Sequence, residues 1–278
     1  MKKTFIAALA AILSAFAFTS CDKELKPRTF EVNGVQFTMV PVKAGTFTMG
    51  FTDEQYDSTT YFVNEGLRQV TLTQDFYIGE TEVTQALWQA VMGVNPIEFE
   101  HGISSYIGDE KPAVYFNSEQ LEEFLKKLNE LTADEGVTFT LPTEAQWEYA
   151  ARGGHLARVT RFAGSNDIDS VAWYRENSDK TLQPVKQLAP NEIGAYDMTG
   201  NVAEVCADYH ESLPKDDLVD PFMSEEESGN TCNIVRGGDC RSYENGSQIA
   251  LRLNHCVKEY PDGEIGLRLC ITLPKKDK

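Results

Sequence analysis

The residues best able to do chemistry lie between Val235 and Ser247, in the run VRGGDCRSYENGS. A Gly-Gly corner is followed by a carboxylate (Asp239), a thiol (Cys240) and two hydroxyls (Ser242 and Ser247). A thiolate is a nucleophile and a soft metal ligand, whereas a serine hydroxyl is hard and stays protonated at neutral pH. No cysteine pair here has metal-site spacing, so Cys240 reads as a buried or disulfide-bonded residue, with a reactive thiol as the alternative. A second candidate is Asp197-Met-Thr-Gly200-Asn201-Val202-Ala-Glu204. Carboxylates, with a glycine that lets backbone carbonyls turn inward, suit a hard cation such as calcium. A solvated turn in which Asp197 caps local amides is the alternative.

The elements that must hold these residues are short. FEVNGVQFTMVPV alternates as a strand pair with Asn33-Gly34 at its turn, and KAGTFTMG adds a strand closed by Gly50. VTLTQDFYIGETEVT reads as strand, turn and strand, after an acidic stretch over 51–66 that reads as a surface loop. Thr84 is expected to cap a helix that buries Leu87, Trp88, Val91 and Met92 and stops at Gly93. Asn117 and Gln120 open a second helix with a stripe of Leu121, Phe124, Leu125, Leu128 and Leu131. Thr143 and Gln146 open a third, on which Glu144 and Glu148 are expected to form a solvated or N-terminal face. Beyond 154 the chain is turn-rich, and Asp216, Asp217, Asp220 and Glu225 to Glu227 read as an exposed acidic insertion. The sum is one irregular α+β domain without the alternating βα units of a parallel sheet.

The ends of the chain are of another kind. Lys2 and Lys3 precede a nearly unbroken apolar run from Phe5 to Phe18, too short for a membrane span. Phe18-Thr19-Ser20-Cys21 resembles a bacterial lipobox, so Cys21 is the expected lipidation site and residues 1–20 the signal peptide, an ordinary cleaved signal being the alternative. Residues 21–29 read as a tether, 30–274 as the domain and 275–278 as a basic tail. The expectation is an exported protein of the cell envelope, held to a membrane by lipid, with envelope proteins or glycans as partners. A net charge of −18 argues against nucleic acid. Five cysteines lie in the last 73 residues; export permits disulfides, and the odd number leaves at least one thiol. The four histidines form no motif, and zinc is not expected.

Taken in order, VPVKAGTFTMG, FYIGETEVTQALWQAVMG, LPTEAQWEYAARGG, VAWYRENS, PVKQLAPNEIGAYDMTGNVAEVCADYH, VRGGDC and IGLRLCI resemble the domain of formylglycine-generating enzymes, or sulfatase-modifying factors, over about residues 37–273. The resemblance implies a loop-rich variant of the C-type lectin fold with structural calcium, and Trp88, Trp147 and Trp173 at core positions. Active members oxidise a sulfatase cysteine to formylglycine with oxygen and copper, the copper held by two cysteines five residues apart. Those positions are Ser242 and Ser247 here, and Asp239 stands where the family has serine. Cys240 falls two positions too early to replace them. Copper is therefore not expected. An oxidoreductase using Cys240, with Asp239 beside it, and a saccharide- or protein-binding module are the alternatives. The calcium set implied is the side chains of Asp197 and Glu204 with the carbonyls of Gly200 and Val202, and a second set would use Asn177 and the Asp179 carbonyl. The family's NVWEW is Asn201-Val-Ala-Glu-Val205 here, and its GFR is Gly266-Leu267-Arg268, whose arginine is expected to support the fold through a salt bridge or carbonyl clamp.

Overall fold

Alternating apolar residues build the first hairpin, in which β1 (Arg28–Val32) pairs antiparallel with β2 (Val35–Val42). Asn33 and Gly34 take φ of 49° and 85°, the left-handed pair a two-residue hairpin turn requires. The computed structural model describes residues 24–55, 66–99, 104–212, 216–258 and 260–275. The expected signal peptide, Cys21 and most of the acidic stretch 51–66 lie outside them.

β3 (Gly45–Met49), β4 (Arg68–Leu72) and β5 (Phe76–Gly79) follow. β4 and β5 do not pair with each other: β4 pairs β3, and β5 joins β2. Three helices come next, α1 (Gln85–Met92), α2 (Ser118–Leu131) and α3 (Glu144–Ala151). Each begins where its cap residue stands. The side chains of Thr84, Asn117 and Thr143 accept the N–H of Leu87, Gln120 and Gln146, and the last two complete capping boxes. The second half holds β6 (Ala203–Tyr209), β7 (Leu218–Val219), the single turn α4 (Glu225–Ser228), β8 (Asn233–Arg236), β9 (Arg252–His255), β10 (Ile265–Leu267) and β11 (Cys270–Thr272). The sheets run β1-β2-β5-β11, β10-β6-β8-β9 and β3-β4-β7.

One apolar core joins the first sheet to α1 and α2, with Trp88 stacked between Phe116 and Phe124. A second surrounds Trp147 and draws on β3, β4, α3 and β8. Trp88 and Trp147 are buried as expected, while Trp173 is only half-buried. Leu131, read as the end of the α2 stripe, is exposed.

Two readings of charge are corrected. Glu144 and Glu148 do not face solvent: α3 is buried on all sides. Glu148 pairs with Arg236, both 1% exposed, and with Arg152 at 2.7 Å, while Glu144 meets Arg252 at 2.8 Å. Arg236 and Arg252 lie 88 and 108 residues from their partners in sequence, beyond the reach of a helical pattern. The acidic segment after 215 is also more than an exposed insertion. Its Leu218 and Val219 add β7 to β4, and Asp220 accepts the Thr73 N–H at 2.7 Å.

Candidate functional site

β8 delivers the chain into the Gly-Gly corner. Gly237 and Gly238 take φ of 97° and 71°. A Cβ on Gly237 would lie 3.2 Å from the Trp147 ring, and one on Gly238 would lie 2.7 Å from the Gly246 carbonyl oxygen and 2.9 Å from Ser247 Oγ. Only glycine fits either place.

Past the corner, the polar groups close on one another. Asp239 Oδ1 accepts the N–H of Arg241 (2.7 Å) and of Ser242 (3.0 Å), and Ser242 Oγ donates to Asp239 Oδ2 (2.8 Å). Ser247 is buried, and its Oγ donates to the Tyr243 carbonyl (3.2 Å). Both hydroxyls thus serve the turn, and neither offers sulfur. Cuprous ion selects soft ligands, so these two positions do not fit copper.

Cys240 is buried in an apolar cluster with Ile97, Tyr106, Val114, Leu182 and Val202. Its N–H donates to the Asn201 carbonyl (2.9 Å), and its own carbonyl accepts from Ser178 Oγ (2.6 Å). Burial, with the charges of Asp239 and Glu264 nearby, pushes the thiol up to about 12. A thiol so placed carries almost no thiolate at neutral pH. The accessible nucleophile required by the oxidoreductase alternative is not what the fold presents. Cys206 and Cys270 are likewise free and buried, and Cys232 pairs with Cys256.

The Asp197–Glu204 run folds into a second constellation. Asp197, at φ 53°, and Glu204, the second residue of β6, are both buried. Arg268 donates through Nε to Glu204 Oε1 and Oε2 (2.9 Å each) and through Nη2 to Oε1 (2.6 Å), and Trp147 Nε1 donates to Oε2 (2.6 Å). Arg268 also clamps the carbonyls of Gly79 (2.8 Å) and Tyr196 (2.7 Å), so it is both the salt bridge and the clamp expected of it. Sequence reading missed one member, Glu82, which lies between β5 and α1. It is buried and accepts from Asn201 Nδ2 (3.1 Å) and the Val202 N–H (3.3 Å). No local pattern marks it; only the fold brings it to the Asp197 turn. Burial, then the charges of Asp197 and Glu204, raise its carboxyl well above the usual range, and burial pushes Asp197 up to about 6.

Three buried carboxylates thus face a single guanidinium. A carboxylate has about four acceptor sites. Those of Glu204 are taken by Arg268 and Trp147, whereas Glu82 and Asp197 accept fewer bonds. Among the described residues no three His, Cys, Asp or Glu side chains close on one metal position. Asn177 sits in a separate turn, accepting the Tyr174 N–H (2.9 Å) and donating to the Ala172 carbonyl (2.9 Å), with Asp179 two residues on at φ 56°.

This architecture has relatives. Residues 26–273 match the sulfatase-modifying factor enzyme 1-like domain. The chain belongs to that family. Chaperone protein LppX of Paenibacillus barcinonensis is 34% identical over 230 residues, 66% of this chain and 75% of the relative. The formylglycine-generating enzyme of Streptomyces coelicolor is 31% identical over 150 residues, 46% of this chain and 45% of its own length. Among solved structures, Treponema denticola variable protein 1 superposes with a TM-score of 0.76 at 27% identity, covering 89% of this chain and 99% of that one. The family fold is therefore shared almost end to end, in its mixed helix-and-strand form.

Proposed function

We propose that the chain is an envelope-anchored binding or assembly component in which the copper-dependent cysteine oxidation of formylglycine-generating relatives is absent. The observation that carries this is the state of the corner: hydroxyls tied into a turn at 242 and 247, and the nearby thiol of Cys240 sealed in apolar surroundings. The resemblance to a protein named as a chaperone supports a role in holding other molecules. The lipobox-like Phe18-Thr19-Ser20-Cys21 supports the anchor. The test is to incubate the full chain with Cu(I), oxygen and a sulfatase-type CxPxR peptide, and to map Cys240 alkylation in parallel. The peptide is expected to stay unmodified, and Cys240 to react only after denaturation. Formylglycine in the peptide would overturn the reading.

The same reading assigns a structural calcium to the Asp197 turn. Charge is the reason: fully ionised, three carboxylates against one arginine would carry two excess negative charges. Burial and mutual repulsion therefore raise the Glu82 and Asp197 carboxyls, and a divalent ion would let them ionise. Asp197 and Glu82 supply carboxylates, and Gly200 and Val202 supply carbonyls, while Glu204 stays with Arg268; calcium accepts such mixtures. The second set, at Asn177 and the Asp179 carbonyl, is a proposal of the same kind. Bound calcium would pin the loop from Asp197 to Val202. Calcium at tenfold its Kd is expected to add about 1.4 kcal/mol of stability. Thermal melts of the chelated chain with and without calcium check this, and an Asp197→Asn variant whose melting responds to calcium as the parent does would refute the assignment.

A further inference from the structure

A cleft of about 530 Å³ runs between β3 and the chain that follows α3, away from the Gly-Gly corner. Ala44, Gly45, Thr46, Phe47 and Thr48 line it without a gap. Strand side chains alternate between faces, so a cleft on a face would touch every second residue. Five consecutive lining residues mean that this one follows the strand's edge. β3 is the outer strand of its sheet, and among the described residues it pairs with β4 alone. In such a ladder alternate residues turn their N–H and C=O groups outward. The strand GTFTM carries no lysine or proline, two of the devices that close an edge to further pairing.

The opposite wall explains what the edge would receive. Tyr149 rises from α3 with its ring 5.1 Å from that of Phe47, giving an apolar floor. Val159, 74% exposed, lies on the far wall. Arg152, His155 and Arg158 line the cleft, with Glu54 the only carboxylate among the described lining residues, and exposed Lys43 stands just before it. Arg152 is held by Glu148, but Arg158 reaches into solvent, 78% exposed with Glu192 at 3.9 Å. The rim thus sets two exposed cations, Lys43 and Arg158, beside the carboxylates of Glu54 and Glu192.

We propose that β3 receives an extended, acidic peptide segment of a partner protein as an added strand. Its backbone pairs with the outer edge of β3, its apolar side chains lie over Phe47 and Tyr149, and its carboxylates face Lys43 and Arg158. The inference rests on the binding role proposed above. A positive copper assay would overturn the absence of oxidation and leave this edge untouched, because the test here is direct binding.

The probe is an end-labelled eight-residue peptide alternating valine and glutamate, titrated with the full chain by fluorescence anisotropy. Saturable binding is expected. N-methylation of alternate amides in one register should weaken it about fivefold for each hydrogen bond lost, and in the other register should leave it unchanged. Arg158→Glu, at an exposed position that leaves the fold intact, should weaken it about fivefold. Three results would overturn the proposal: no saturation, equal affinity for a valine-lysine peptide, or indifference to methylation in both registers. An anionic oligosaccharide that displaces the peptide while methylation has no effect would instead mean attraction by charge alone, and would also overturn it.

Discussion

Arg268→Met is expected to destabilise the protein by about 3–5 kcal/mol, the usual cost of removing one partner from a buried ion pair. Arg268 is fully buried and holds four oxygens: both of Glu204 and the carbonyls of Gly79 and Tyr196. Without it Glu204 keeps only the Trp147 N–H, and three buried carboxylates lose their only guanidinium. The two carbonyls lose a donor that links β5 to the segment before the Asp197 turn. In a domain of this size each kcal/mol moves the melting temperature by roughly 2–4 °C, so a fall of roughly 6–20 °C should appear in a thermal scan. A variant melting within about 2 °C of the parent would show that the buried charges are balanced by something other than this arginine.

Breaking the Cys232–Cys256 bridge is expected to cost about 3 kcal/mol. The bridge lies just beyond the Asn233–His255 pair of the β8–β9 ladder and spans 24 residues of sequence, all of the Gly-Gly corner included. A closed loop of that length restrains the unfolded chain, and opening it returns that freedom. Cys232→Ser with Cys256→Ser should lower the urea midpoint by the corresponding amount. A reductant should lower the parent's midpoint to that of the variant and leave the variant unmoved. A parent whose midpoint ignores reductant would show the bridge to be without consequence.

What the sequence made legible was mostly local. Thr84, Asn117 and Thr143 announce their helices because a cap acts within three residues, and Asn33-Gly34 announces its hairpin for a similar reason. The serines at 242 and 247 could be read as unsuited to copper without coordinates, since that follows from the element each side chain carries. Long-range electrostatics was illegible. Glu144 and Glu148 look like a wet helical face until Arg236 and Arg252 arrive from β8 and β9. Glu82 becomes part of the Asp197 cluster only because β5 and β6 lie in sheets joined by Arg268. The burial of Cys240 depends on Ile97 and Tyr106, more than a hundred positions earlier, so the sequence left its state open.

The paired glycines at 237 and 238 carry a lesson for sorting homologues by motif. Their requirement comes from the indole beneath and the carbonyl alongside, which is a matter of packing. Packing alone therefore suffices to keep the doublet, whatever side chains follow it. Genome surveys that use the doublet as a mark of activity will gather members with sulfur and members with hydroxyls past the corner into one bin. The chalcogen at the fourth and ninth positions after the second glycine separates them.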